Sequence, residues 1–397
     1  MSEEQRAVVL LVGGRLTPNL IGILALRPCA VEFVVSTDTP GQYQVARRVL
    51  QTIEGVTVSD QPEYVSAYDM AACERACQVV ADRHSDAEIW FDASSAPKIL
   101  GFAGYETARQ RGQHAIIVDT THQQVIDVTQ KGAVAASIPL TLEQYLACYG
   151  RRPRPTFDWA RISLPQEQAL QAAAYLAQDS GAFMRLLPRL RDWRPRKDEL
   201  RVGFERTRPL DDEQRTVLRR LADLGLLAHL EERADGRVAY TFRCEEDFNF
   251  INGGWLEVWV WDQARQQCDK HGKPVFAQCA FSLEIPSEGA CKEIDVACLY
   301  QGQLILCSCK TESKPFDTEH LDELSAVSNM VGAEFTSRVF VTNVLPPPES
   351  DAPAYRAYTL FTEQARDRKI AVVTSDRLAE VGKILAQQAV NPTYARI

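Results

Sequence analysis

The sequence predicts an α/β chain in three parts, and three observations carry that reading. Short apolar runs alternate with helix-period segments over residues 1–150. A helix followed by a hairpin with an Asp-Gly turn lies within residues 151–250. Two apolar, β-branched arms separated by Gln301-Gly302-Gln303 centre residues 251–397, with helical segments on either side. Regular β–α alternation argues for a mostly parallel, Rossmann-like sheet. The helix with its hairpin resembles a small winged-helix unit, and the third part is an α/β arrangement built on a hairpin.

The front part begins with Ala7–Val12, a continuous apolar run of strand length, as expected of a strand buried on both faces. Gly13, Gly14, Arg15, Thr17, Pro18 and Asn19 follow as a loop, and Leu20–Leu26 reads as a helix. Val31–Val35 is the second strand and ends in Ser36, Thr37, Asp38 and Thr39. A helix over Gln42–Ile53, a weaker strand near Val56 and a helix over Asp69–Arg83 come next. Glu88–Phe91 is a strand followed by Asp92-Ala93-Ser94-Ser95-Ala96-Pro97-Lys98, then a helix over Ile99–Arg111 and a strand over His114–Asp119. Ligands of such sheets bind beyond the carboxyl ends of the strands, where these three polar loops fall. The loops offer hydroxyls, an amide and small residues, and Lys98 at a helix start favours an anion such as phosphate. The fingerprint GxGxxG is absent, so dinucleotide binding is not supported.

In the middle part, Arg151–Pro155 reads as a linker and Gln166–Gln178 as an Ala-rich helix. A basic cluster follows: Arg185, Arg189, Arg191, Arg194, Arg196, Lys197 and Arg201, with Trp193 among them. Asp211–Leu224 is a helix that Gly225 can stop, and Leu226–Glu232 with Arg237–Arg243 form the hairpin. Units of this kind bind DNA or serve as connectors, and the short helix count favours a connector.

The last part opens at Asn252-Gly253-Gly254-Trp255-Leu256-Glu257, where Asn252 or Gly253 can cap a helix bearing Glu257. The hairpin arms are Glu293–Tyr300 and Leu304–Lys310. Side chains alternate along a strand, so Glu293 shares a face with Asp295, and Ser308 with Lys310. Acids and a lysine at one end of a hairpin can hold a divalent metal and polarise a phosphate, the core of a restriction-endonuclease-like PD-(D/E)xK site. Carboxylates hold Mg²⁺ or Mn²⁺, the metal lowers the pKa of water, and the lysine stabilises charge on the phosphoryl oxygens. Cys307 and Cys309 point to the opposite face as small hydrophobes. Helices over Thr318–Met330, Tyr355–Arg368 and Arg377–Gln387 and strands over Ser337–Thr342 and Ile370–Val373 complete this part.

Composition narrows the class. A net charge of −9 argues against a general nucleic-acid binder, while leaving room for local grip through a basic patch and a metal. Eleven cysteines, none in a CxxC pair, fit reduced thiols in a cytoplasmic protein. No run reaches the roughly 18 apolar residues of a membrane span, and the polar, acidic start is not that of a signal peptide.

The Asn252–Glu257 stretch, Glu293-Ile294-Asp295-Val296, Cys309-Lys310-Thr311 and the Gly13-Gly14…Pro18-Asn19 loop together resemble the CRISPR ancillary nucleases that join a CARF sensor to a PD-(D/E)xK domain. The resemblance covers nearly the whole chain. It implies a CARF-like cyclic-oligoadenylate sensor at 1–150, a winged-helix-like linker at 151–250 and a nuclease at 251–397. It also implies a homodimer that binds cyclic oligoadenylate, cyclic tetra-adenylate as activator, across its two-fold axis. The substrate is then DNA, with RNA as a second class left open, and no membrane is involved. Asp295, Glu257 and Glu293 would hold the metal, and Lys310 would stabilise the reacting phosphate. Gly13, Gly14, Arg15, Thr17, Pro18, Asn19, Ser36, Thr37, Asp38, Thr39, Ser94, Ser95 and Lys98 would line the sensor pocket.

Two features depart from the family pattern. Ser308 stands where an acid is usual, and Ser94-Ser95-Ala96-Pro97-Lys98 replaces a Thr-Gly-Gly-Thr-Lys-like loop. A serine cannot replace a carboxylate as a charged ligand. The alternative is therefore a ligand-responsive DNA-binding regulator with an inactivated nuclease domain. Cleavage of the ring by the sensor itself stays open as a third reading, with His114 or His122 as the available bases.

Overall fold

The computed structural model describes residues 6–120, 124–136, 140–178, 180–193, 200–286, 291–333 and 336–392. The chain divides into two compact units, Met1–Arg152 with Leu299–Gln303 and Pro153–Cys298 with Leu304–Ile397.

The first unit holds strands β1 (Arg6–Val12), β2 (Ala30–Ser36), β3 (Thr57–Val58), β4 (Glu63–Val65), β5 (Glu88–Asp92), β6 (His114–Asp119), β7 (Gln124–Asp127) and β8 (Gly132–Ala136). Its helices are α1 (Thr17–Leu26), α2 (Pro40–Leu50), α3 (Met70–Asp82), α4 (Lys98–Arg111) and α5 (Leu142–Ala147). One sheet runs β3-β2-β1-β5-β6-β7-β8, with β4 also paired to β2. Strands β1 to β6 pair in parallel, and β7 and β8 add antiparallel at one edge. Beyond its first residue, β1 is buried throughout, as its unbroken apolar run requires. Chain order reverses at β1, which lies between β2 and β5. That is the switch point at which open α/β sheets leave a crevice for ligands. β4, β7 and β8 were not anticipated, because their short sequences carry weak alternation.

The second unit holds β9 (Arg154–Pro155), α6 (Gln166–Gln178), α7 (Ser180–Asp192), β10 (Arg201–Val202), α8 (Asp212–Asp223), β11 (Leu227–Glu232), β12 (Val238–Phe242), α9 (Glu245–Asn249) and α10 (Trp255–Arg265). β13 (Gln278–Ile285), β14 (Lys292–Tyr300), β15 (Gln303–Lys310), α11 (Thr318–Met330), β16 (Thr336–Thr342), α12 (Ala352–Asp367), β17 (Ile370–Val373) and α13 (Val381–Val390) follow. A three-stranded antiparallel sheet, β10-β12-β11, packs beside α8 and forms the winged-helix-like part. The larger sheet runs β17-β16-β15-β14-β13-β9. β15, β16 and β17 are parallel. Gln301 and Gly302, both with positive φ (51° and 74°), make the two-residue turn of the β14–β15 hairpin.

Two expectations need correction. Arg151–Pro155 is not wholly a linker: Arg154 and Pro155 pair with Glu284 and Leu283 of β13 as an edge strand, where proline is tolerated. Asn252 and Gly253 do not cap a helix. α9 runs through a π-helical turn at Phe250–Gly254 into α10, and no side chain caps that join. Arg185, Arg189 and Arg191 of the basic cluster lie on helix α7, in which Pro188 is an interior residue. Arg194, Arg196 and Lys197 lie outside the described residues. Among the described residues no helix is long and apolar enough to cross a membrane.

Candidate functional site

In the second unit the hairpin and α10 bring three acids together. Ligand oxygens of Glu257, Glu293 and Asp295 all lie within 4.8 Å of one another. α10 turns Trp255, Leu256, Val258 and Trp259 into the core, which leaves Glu257 directed at the hairpin. Asp295 is the fixed member of the group. Its Oδ2 accepts the Cys309 backbone N–H at 2.6 Å, and the Ser308 hydroxyl donates to the same carboxylate. Ser308 thus holds an acid of this group in place rather than supplying one. Lys310, two residues on, lines the same cavity of about 250 Å³ with Glu293, Asp295 and Ser308, and its Nζ lies 3.9 Å from Glu323 of α11.

Glu257 is held in its turn by Ser282, whose hydroxyl donates to Oε2. Ser282 has φ of 47°, a left-handed conformation that non-glycine residues adopt at a cost. Its carbonyl accepts both the backbone N–H (2.8 Å) and the hydroxyl (2.9 Å) of Thr156, and these bonds hold the kink. Ser282 was invisible in the sequence because β13 itself was not recognised.

The electrostatics fit a cation. Burial, and then the charge of Asp295, push the Glu257 carboxyl well above the ordinary range. Burial raises Asp295 and also Glu293, where the charge of Asp295 adds to it. Crowding three carboxyls in a low-dielectric corner disfavours their charged forms, and a positive charge placed among them would favour those forms again. The all-oxygen donor set suits a hard ion such as Mg²⁺ or Mn²⁺. Burial also raises the Cys307 and Cys309 thiols, so neither is a ready thiolate ligand.

Arg191 ties the two site-bearing elements together. Its Nε donates to Asn252 Oδ1 at 2.6 Å, and its Nη2 donates to the Asn252 carbonyl at 2.9 Å and to Thr311 Oγ1 at 3.0 Å. Thr311 Oγ1 also donates to the Asn252 carbonyl at 2.9 Å. Asn252 precedes the helix bearing Glu257, and Thr311 follows Lys310. Three arginines of the basic cluster are therefore spoken for: Arg191 faces inward, Arg185 pairs with Glu213, and Arg189 donates to the Pro209 carbonyl at 2.9 Å. Arg191→Ala should lower the cleavage rate constant roughly 10- to 100-fold at saturating substrate, through loss of alignment. A single-turnover assay with a parallel melting curve checks this. Loss confined to thermal stability would reduce the arginine to a structural tie.

In the first unit the loops that follow β1 and β5 interlock at the switch point. Asn19 Oδ1 accepts the Ser95 hydroxyl. Ser94 donates its hydroxyl to Asp92 Oδ1, which also accepts the Ser94 backbone N–H at 2.9 Å, while Ser94 Oγ accepts the Val118 N–H at 2.9 Å. Thr17, Asn19 and Ser36 are buried, and Ser36 Oγ accepts the Asp38 N–H at 3.2 Å. These residues shape the crevice from beneath. Gly14, Arg15, Thr37, Asp38 and Lys98 are exposed, and Pro18, Thr39, Ser94 and Ser95 are half-buried. Gly13 is buried because a Cβ there would fall 1.8 Å from the Ser95 carbonyl oxygen.

Asp92 is the residue of this unit that sequence reading passed over. It is wholly buried, its Oδ2 has no hydrogen-bond partner, and burial pushes its carboxyl up to about 6. The folded state therefore keeps a proton that the unfolded chain releases near 3.8, so stability falls as pH rises from there to about 6. The loss is ~3 kcal/mol, from 1.36 kcal/mol per pKa unit. Urea unfolding across this window should show a shallower fall of stability with pH in Asp92→Asn than in the wild type. Equal slopes would mean that Asp92 titrates alike in both states.

The comparisons with known proteins agree with this geometry. Residues 244–391 match the family model described as Card1-like, endonuclease domain. No curated protein matches the chain. Among solved structures, protein VC1899 from Vibrio cholerae is similar with TM-score 0.76 and 18% identity, over 97% of this chain and 98% of that one. Can2 from Sulfobacillus thermosulfidooxidans, solved in complex with cyclic tetra-adenylate, is similar with TM-score 0.70 and 20% identity, over 97% of this chain and 99% of that one. A type III CRISPR defence DNA nuclease activated by cyclic oligoadenylate is similar with TM-score 0.54 and 16% identity, over 88% of this chain and 48% of that one. The fold is thus shared from end to end with VC1899 and Can2. The three-acid corner and Lys310 all fall inside the segment that matches the Card1-like endonuclease domain model.

Proposed function

We propose that this chain is a metal-dependent nuclease of type III CRISPR defence, activated by cyclic tetra-adenylate. The observation that carries the reading is the convergence of Glu257, Glu293 and Asp295 beside Lys310 inside an endonuclease domain. A sensor over 1–150, a connector over 151–250 and a nuclease over 251–397 are the working parts. The fold shared with a cyclic tetra-adenylate complex supports the ligand, which would sit over the exposed and half-buried loop residues at the switch point. A homodimer supplies two such crevices to one ring, and light scattering of the purified chain tests that state.

Asp295 and Glu257, with Glu293 at the mouth, would hold Mg²⁺ or Mn²⁺. Such an ion lowers the pKa of water and polarises a phosphoryl oxygen. The chain's own residues do the rest. Ser308 and the Cys309 N–H orient Asp295, Ser282 orients Glu257, and the Lys310 ammonium stabilises the charge that builds on the phosphate as water attacks and the leaving oxygen departs. DNA is the substrate class, with RNA as a second one to be assayed. Ser308 favours one other reading, an inactivated domain in a DNA-binding regulator.

The test is nicking of supercoiled plasmid with Mn²⁺, with and without cyclic tetra-adenylate, and with EDTA. Ligand-dependent nicking that EDTA stops supports the proposal. Tight ligand binding with no cutting would overturn it, and a Ser308→Glu variant that gained cutting would then identify an inactivated nuclease.

A further inference from the structure

The first unit carries a second charged cavity that the sensor loops do not use. It is a cleft of about 530 Å³ between the C-terminal half of α2 and α5 with the turn that follows it. Gly150, with φ of 70°, ends α5, and the Arg151 N–H returns to the Leu146 carbonyl at 3.0 Å. This left-handed glycine stop folds Arg151 and Arg152 back over the helix end. They meet Arg48, which lies in the last turn of α2.

Three arginines against one glutamate, Glu143, leave the lining with a charge of +2 in a chain whose net charge is −9. Among the described residues none of the three arginines has a carboxylate within ion-pair distance. The Arg48 Nε donates to the Gln44 carbonyl at 3.2 Å, so its two terminal nitrogens remain available. The Arg151 Nε is buried and has no hydrogen-bond partner. Buried guanidinium N–H groups are costly unless paired, and natural cores rarely leave them so. The cleft adds further donors. The Thr141 hydroxyl accepts the Gln144 N–H, and the Gln144 side-chain oxygen accepts the Thr141 N–H, which leaves the hydroxyl proton and the Gln144 NH₂ to donate.

Guanidiniums and neutral donors lining one cleft match phosphate oxygens, which accept several N–H and O–H bonds and pair well with arginine. The volume is that of a nucleotide-sized ligand rather than a lone phosphate. We propose that this cleft is a binding site for a ligand bearing more than one phosphate charge, separate from the crevice at the switch point. Arg48 lies eight residues beyond Pro40 in sequence, about 12 Å along the α2 axis from the end that abuts Thr39. The phosphates could belong to a free nucleotide or to the backbone of a nucleic-acid strand.

Calorimetric titration of the full-length protein in EDTA decides the matter, with inorganic pyrophosphate as the first probe. Saturable binding is expected in the wild type, in Lys98→Ala and in Lys310→Ala. It should weaken at least tenfold in the double variant Arg48→Gln/Arg152→Gln, whose two exposed side chains can be changed without disturbing the core. Arg151→Gln, with a melting curve, is the second variant. Absence of saturable binding overturns the proposal. So does binding lost in Lys98→Ala, which would assign it to the sensor loops, or binding unchanged in both arginine variants. Titrations with ATP and with a short oligodeoxythymidylate separate the two sources: tighter binding of ATP marks a nucleotide site, and tighter, salt-sensitive binding of the oligonucleotide marks a strand site.

Discussion

Asp295→Asn and Lys310→Ala should each lower plasmid nicking at least about a thousandfold while leaving cyclic tetra-adenylate binding unchanged. Asparagine keeps the size of the side chain and can still accept the Cys309 N–H, which the wild-type carboxylate receives at 2.6 Å. What it removes is the charge at the centre of the three-acid corner. Alanine at 310 removes the ammonium that follows Ser308 on the cavity wall, which it shares with Asp295 and with a second lysine, Lys292. Single-turnover rates with calorimetry of the ring on the same preparations separate cutting from sensing. Wild-type cutting by Lys310→Ala would sink the site assignment, and Lys292→Ala, which removes the other ammonium of that wall, is the companion variant.

Gly13→Ala is the second large effect. A Cβ at position 13 would lie 1.8 Å from the Ser95 carbonyl oxygen and 2.9 Å from its carbon. The obstacle is backbone, so no rotamer relieves it. The loop from Ser94 to Pro97 would have to move, breaking the Ser95–Asn19 and Ser94–Asp92 hydrogen bonds together. A loss of roughly 3 kcal/mol is expected, with ring binding weakened at least tenfold. Gly14→Ala is the internal control, since a Cβ there meets nothing within 4 Å. Similar melting and binding in the two variants would show that the Gly13 contact yields without cost.

The same logic separates what was readable in the chain from what was not. β1 announced itself because a strand covered on both faces needs an unbroken apolar run, and Ala7–Val12 is one. The acid and lysine faces of the hairpin followed from strand alternation alone, and the structure lines one cavity with Glu293, Asp295, Ser308 and Lys310. Glu257 could be suspected but not paired, since its distance to Asp295 depends on how α10 packs. β13 escaped because Gln278–Ile285 is only partly buried and lacks clean alternation.

By itself, then, the sequence determined the α/β alternation, the hairpin and the residue types that a metal-dependent nuclease needs. These are local properties, set by side-chain period and turn chemistry over a few residues. Only the tertiary structure decided that Ser308 orients Asp295, that Ser282 orients Glu257, that Arg191 turns inward to Asn252 and Thr311, and that Asp92 underpins the loop of Ser94. Each of those pairings joins residues whose approach is set by packing, and hydrogen bonds of that kind leave no periodic trace in the chain.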